Sequence, residues 1–123
     1  MCDLRYESWR ERLGNEVFDL KVNKLTGGLQ HDLQLMAQSD IVISTPEKYE
    51  VLSRKWKLRK AVQKVTLYIL DEVQMVPDQG STYEVLASRI RYIQNQLEGS
   101  SIRVVALGCP IANYKDVASW LGI

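Results

Sequence analysis

Three short apolar runs punctuate the chain: Ile41-Val42-Ile43, Val65 to Leu70, and Ile102 to Leu107. They are rich in β-branched residues and almost uninterrupted by polar ones. That pattern predicts parallel strands covered on both faces. A weaker run, Val17 to Val22, predicts a fourth strand. Between the runs the apolar period lengthens to that of a helix. Trp9 and Leu13 lie four apart, Leu29, Leu33 and Met36 share one face, and Leu86, Ile90, Ile93 and Leu97 form a stripe. Pro46 suits the first position of a helix over 46–53, with Thr45 as its cap. Ala112 to Leu121 predicts a last short helix.

Strand, helix, strand, helix is the signature of an α/β layer with right-handed crossovers. With 123 residues the chain fits one domain or part of one. No internal repeat, low-complexity stretch or linker divides it. It opens in one helical pattern and stops just after another, so it is expected to be a piece of a longer polypeptide.

Composition narrows the chemistry. A net charge of +1 gives no global field for nucleic acid, so any such binding must come from a local patch or from backbone amides. Cys2 and Cys109 fit no metal-ligand spacing, and His31 is the single histidine, which argues against zinc and against His-based triads. No apolar run has membrane-spanning length. Arg54 to Lys60 carries five basic residues in seven around Trp56. A solvated edge with Trp56 packed inward explains it without a ligand. Glu84, Arg89 and Tyr92 on the long helix are equally compatible with a surface role.

The strongest candidate for chemistry is Asp71-Glu72-Val73-Gln74, directly after the run Leu67 to Leu70. In open α/β sheets ligands sit beyond the carboxyl ends of strands. An aspartate there can hold magnesium, and an adjacent glutamate can orient or deprotonate an attacking water. Two exposed carboxylates at a turn would give the same letters. Ser44-Thr45-Pro46-Glu47-Lys48 follows another strand and presents free amides and a hydroxyl, a seat for a phosphate or simply a good cap. Thr26-Gly27-Gly28 permits a tight turn and close approach of a ligand, or a plain connecting loop.

In order and spacing, these pieces resemble the first RecA-like domain of the Ski-type DExH RNA helicases. The resemblance runs from Thr26-Gly27 through Thr45-Pro46-Glu47-Lys48, Asp71 to Gln74 and Ser88-Arg89 to the segment from Ala106 to Gly122. The stretch Arg89 to Glu98 points to the tandem-cassette spliceosomal branch of that family, and to its second cassette. The resemblance implies a partial RecA-like, P-loop NTPase fold, with a parallel sheet flanked by helices, and makes residues 1–123 part of one ATP-binding domain. It implies that Asp71 and Glu72 serve ATP, magnesium and the hydrolytic water, with Asp71 the magnesium ligand and Gln74 part of the catalytic tetrad. Thr26, Gly27, Thr45, Pro46, Lys48 and, further along, Arg89 would follow the nucleic-acid backbone. The implied partners are RNA, the remaining helicase domains and spliceosomal proteins, in the nucleus and away from membranes.

Three departures qualify this. No Gly-x-x-x-x-Gly-Lys-Ser/Thr loop occurs, and in the family it lies upstream. The chain by itself is therefore expected neither to bind ATP and magnesium tightly nor to hydrolyse ATP. Gln74 stands where the family usually has histidine. Gly108-Cys109-Pro110 replaces a Ser-Ala-Thr motif whose hydroxyls link the nucleotide site to the nucleic-acid side, so impaired coupling is expected. The alternatives are a degenerate cassette acting as a regulatory scaffold, and an unrelated α/β binding domain whose tetrad is incidental.

Overall fold

A computed structural model of the chain describes residues 1–78, 81–99 and 101–123. The chain divides into two compact units, Met1–Lys55 and Trp56–Ile123.

The first unit runs α1 (Cys2–Leu13), β1 (Val22–Lys24), α2 (Leu29–Gln38), β2 (Ile41–Ile43) and α3 (Pro46–Ser53). β1 and β2 pair in parallel, Val22 with Ile41 and Lys24 with Ile43. The fourth strand therefore begins at Val22 and not at Val17. Asn15 explains the shift. Its Oδ1 accepts the amides of Val17 and Phe18, at 3.1 and 3.3 Å, and Asp19 adopts φ 48. This side-chain-stabilised turn leaves Val17 and Phe18 exposed, so their apolar character serves no strand here.

The second unit holds a 3-10 turn at Trp56–Leu58, α4 (Lys60–Gln63), β3 (Leu67–Leu70), a 3-10 turn at Val73–Met75, α5 (Ser81–Gln96), β4 (Arg103–Ala106) and α6 (Tyr114–Leu121). β3 and β4 are parallel, Leu67 opposite Arg103 and Leu70 opposite Ala106. The helix between them is the long amphipathic one, and it buries Tyr83, Leu86, Ala87, Ile90 and Ile93. Gln94 Nε2 donates to the Ile102 carbonyl at 3.0 Å, fixing the end of α5 beside the entry to β4. Trp56 is buried and meets the Tyr92 ring edge-on at 6.3 Å, so it packs inward rather than presenting an indole to a base.

Among the described residues the strands thus form two parallel pairs, β1-β2 and β3-β4, each with helical crossovers. The expectation of cover on both faces fails at β3. Tyr68 and Leu70 are buried, while Leu67 and Ile69 are 47% and 42% exposed. Alternation of this kind follows from the two-residue period of a strand when one face lacks a neighbour.

Candidate functional site

In the first unit, both parallel strands end at the same edge, and the segments that leave them meet there. β1 runs into Leu25-Thr26-Gly27-Gly28; β2 runs into Ser44-Thr45 and the start of α3. Lys48, one turn into α3, donates from Nζ to the Leu25 carbonyl at 3.1 Å. Thr45 occupies the N-cap position with an extended backbone and Pro46 follows at the first helical position, as the sequence predicts. The Thr45 hydroxyl, however, does not close the cap. Its cap role is positional only. A cavity of ≈ 170 Å³ opens beside this edge, lined by Gly27, Leu29, Asp32, Glu47, Lys48 and residues of α3 behind them.

The residue that shapes the Thr26-Gly27 loop is one the sequence pattern hides. Asp32, in the first turn of α2, is 1% exposed. Its Oδ1 accepts the amide and the hydroxyl of Thr26, both at 2.8 Å, and its Oδ2 accepts the Gly27 amide at 2.7 Å. Burial alone would raise the carboxyl's pKa, but the donors from Thr26 and Gly27 outweigh it and hold the carboxyl below its ordinary value. Gly27 turns through φ 106, a conformation that a side chain would resist. His31 stays exposed, with Nδ1 3.5 Å from the Thr26 hydroxyl and 3.7 Å from Asp32. The expected apolar face of α2 is correspondingly uneven: Met36 is buried, Leu29 is 41% exposed, and the deepest position is the aspartate. A short acidic residue in the first helical turn, five residues beyond a Thr-Gly pair, was the available signal.

The second unit repeats the arrangement. β3 delivers Asp71-Glu72-Val73-Gln74 at its carboxyl end, and β4 delivers Leu107 to Pro110 at the same edge. Ladder bonds continue past the strands, from the Leu107 amide to the Leu70 carbonyl at 2.8 Å and from the Val73 amide to the Leu107 carbonyl at 3.0 Å. Glu72 is forced into the left-handed region, φ 57 and ψ 44, and its amide donates to Asp71 Oδ1 at 3.1 Å. Such backbone strain at a glutamate needs support from its surroundings, and it concentrates at functional sites. Tyr83, buried at the start of α5, reaches the Asp71 carbonyl with its hydroxyl at 3.5 Å. Burial, helped by the Asp71 charge, pushes the phenol up to about 12. Asp71, Glu72 and Gln74 are all half-buried, whereas Gly108, Cys109 and Pro110 are exposed.

The predicted residues thus assemble into two groups, Thr26, Gly27, Thr45, Pro46 and Lys48 in one unit and Asp71, Glu72, Gln74, Gly108, Cys109 and Pro110 in the other. Arg89 lies half-buried on α5.

Comparison with known proteins identifies the pattern. The model of the DEAD/DEAH box helicase family matches residues 2–116. The chain belongs to the DEAD/DEAH box helicases. It is 46% identical over 123 residues to the U5 small nuclear ribonucleoprotein 200 kDa helicase of Drosophila melanogaster, a match covering 99% of this chain and 6% of that protein. The Homo sapiens protein of the same name is 47% identical over 118 residues, 95% of this chain and 5% of its own length. The DExH-box ATP-dependent RNA helicase DExH13 of Arabidopsis thaliana is 44% identical over 119 residues, covering 96% and 5%. The chain therefore spans 5 to 6% of the length of these relatives. Its parallel strand pairs and crossovers are those of a partial RecA-like domain. The family uses ATP and magnesium. No helix among the described residues is long and apolar enough to cross a membrane.

Proposed function

We propose that the chain supplies part of one RecA-like motor domain of an ATP-dependent RNA helicase that acts in pre-mRNA splicing. The observation that carries this reading is Glu72, held at φ 57 where β3 ends, directly after Asp71. A strained carboxylate beyond the carboxyl end of a parallel strand is placed where ligands of open α/β sheets lie. Asp71 offers hard oxygen donors, and magnesium needs only one or two carboxylates because phosphates and water complete its shell. The residues present therefore fit a magnesium–ATP site, with Asp71 as the metal ligand. Bound ATP would supply the phosphoanhydride whose hydrolysis drives movement. Glu72 would orient the attacking water and accept its proton, and Gln74 would hold the turn that carries both carboxylates.

Thr26, Gly27, Thr45, Pro46 and Lys48 of the first unit would line the RNA backbone, and Arg89 of the second unit would make a phosphate contact of its own. A hydroxyl outside the cap, one lysine and the loop backbone held by Asp32 would contact phosphates and sugars without reading bases, which suits a translocating motor. Glu47 beside Lys48 keeps this edge from becoming strongly cationic, in keeping with the net charge of +1. The partners would be RNA, further helicase domains and spliceosomal proteins in the nucleus, as the names of the similar U5 helicases suggest.

The test is RNA-stimulated ATP hydrolysis by the full-length protein. Glu72→Gln should abolish it while RNA binding persists, and unchanged turnover would refute the assignment. Thr45→Ala with Lys48→Ala should weaken RNA binding; unaltered affinity would return Thr45 to a helix-start role. A second reading is favoured by Gly108-Cys109-Pro110, which lacks the family's hydroxyls. It makes the chain part of a scaffold cassette, and it would prevail if the full-length protein failed to hydrolyse ATP at this site.

A further inference from the structure

Gln74 makes a contact that the chemistry of hydrolysis does not require. Its Oε1 accepts the backbone amide of Cys109 at 3.2 Å. The same oxygen lies 2.5 Å from where a Cβ on Gly108 would stand, with Val73 Cγ2 at 3.2 Å and the Gln74 amide nitrogen at 3.5 Å. Carbon and oxygen do not approach so closely. Any side chain at position 108 would displace the Gln74 carboxamide, and the bond to Cys109 would go with it. The Val73 amide is bonded to the Leu107 carbonyl at 3.0 Å, so the backbone of the turn stays beside Gly108 and the flexible Gln74 side chain is the part that gives way.

We propose that Gln74 and Gly108 are a matched pair, and that the Gln74–Cys109 bond is a positioning link between the tetrad and the segment leaving β4. Resting on the reading of the tetrad as an ATP site, this gives the pair a role in coupling. The two hydroxyls expected after β4 are missing, yet the two segments remain tied through a side-chain oxygen and a backbone amide. The link does not depend on the Cys109 side chain. It does depend on the absence of one at Gly108. A consequence runs against intuition: Gly108→Ser, which puts a family hydroxyl back, breaks the link instead of restoring it.

The experiment uses the full-length protein and two readouts, hydrogen exchange resolved to the Cys109 amide and RNA-stimulated ATP turnover. Losing one hydrogen bond of ordinary strength should speed local exchange roughly tenfold. Gln74→Ala and Gly108→Ser should each do so, and the double variant should exchange no faster than either alone. Gln74→Glu, which keeps an acceptor oxygen, should retain protection, and Cys109→Ser should stay within about twofold of the parent. In turnover, kcat with RNA should fall alike in both singles and the double, with KM for ATP within about twofold.

Unchanged Cys109 exchange in Gln74→Ala, or additive effects in the double variant, would overturn the pair. Exchange as expected with unaltered kcat would overturn the positioning role. If the parent protein hydrolyses no ATP, the proposed function fails, and exchange alone still decides whether the pair exists.

Discussion

The carboxylate of Asp32 holds Thr26 by both its hydroxyl and its amide, each at 2.8 Å, from a position 1% exposed to solvent. With the Gly27 amide at 2.7 Å, one buried side chain fixes the whole loop after β1. Asp32→Ala leaves three donors without their acceptor, two of them backbone amides, so a stability loss of about 3 kcal/mol is expected in urea unfolding. Asp32→Asn keeps one acceptor oxygen and should lose less. RNA affinity, followed by fluorescence anisotropy, should drop about tenfold in Asp32→Ala as the loop loosens, since each tenfold corresponds to roughly 1.4 kcal/mol. An Asp32→Ala protein as stable as its parent would show that the loop holds itself.

The same carboxylate sets an acid limit. Its pKa in the folded chain lies below the ordinary value of 3.8 despite burial, because the Thr26 and Gly27 donors favour the charged form. A depressed folded pKa contributes stability that is present above the unfolded value and is lost as pH falls through the folded one. Stability should therefore decline below about pH 4, and Asp32→Asn should flatten that part of the curve. A parent and an Asp32→Asn variant with parallel stability curves from pH 5 to pH 2 would contradict the assignment.

What could be foreseen from the chain, and what could not, follows from the range of the interactions concerned. Ile41–Ile43, Pro46–Ser53 and the tetrad after Leu70 were legible because each rests on local pattern: β-branched runs, a proline at a helix start, carboxylates after an apolar strand. The run Val17 to Val22 reaches the sheet only at Val22, because the Asn15 side chain, outside the run, captures the amides of Val17 and Phe18 and turns the backbone. Asp32 was hidden among the apolar positions of α2, since burial of a carboxylate is decided by donors that folding brings to it. The Gln74–Gly108 relation was out of reach for the same reason. It joins positions 34 residues apart through a distance that only the parallel pairing of β3 with β4 creates. The open face of Leu67 and Ile69 depends on what packs above it, which periodicity does not encode.

Glu72 stores strain that can be measured. The left-handed region costs a residue with a side chain about 1–2 kcal/mol, and glycine escapes that cost. Glycine also adds freedom to the unfolded chain, worth about 0.5–1 kcal/mol in the opposite direction. The first effect is larger, so Glu72→Gly should stabilise the protein by about 0.5–1 kcal/mol in chemical denaturation while removing RNA-stimulated ATP hydrolysis. Glu72→Ala should lose the activity without the gain. Destabilisation by glycine would mean that the side chain, and not its function, holds this conformation.

Tyr83 sets the alkaline counterpart of the Asp32 limit. The phenol is 6% exposed and sits beside Asp71, and its pKa is pushed up to about 12 from 10.0. A folded pKa above the unfolded one favours the protonated form in the folded chain. Its contribution is complete below pH 10 and is lost as pH rises through about 12. Other tyrosines and the lysines titrate in the same window, so the comparison with Tyr83→Phe isolates this group. The variant keeps the packing and removes the titration, and its stability should fall less between pH 10 and pH 12, by on the order of 1–2 kcal/mol. At neutral pH it should lose at most about 1 kcal/mol, because the hydroxyl's bond to the Asp71 carbonyl is long at 3.5 Å. Identical alkaline unfolding of the two proteins would place the Tyr83 hydroxyl in water, and with it would go the support that α5 gives to the turn of Asp71 and Glu72.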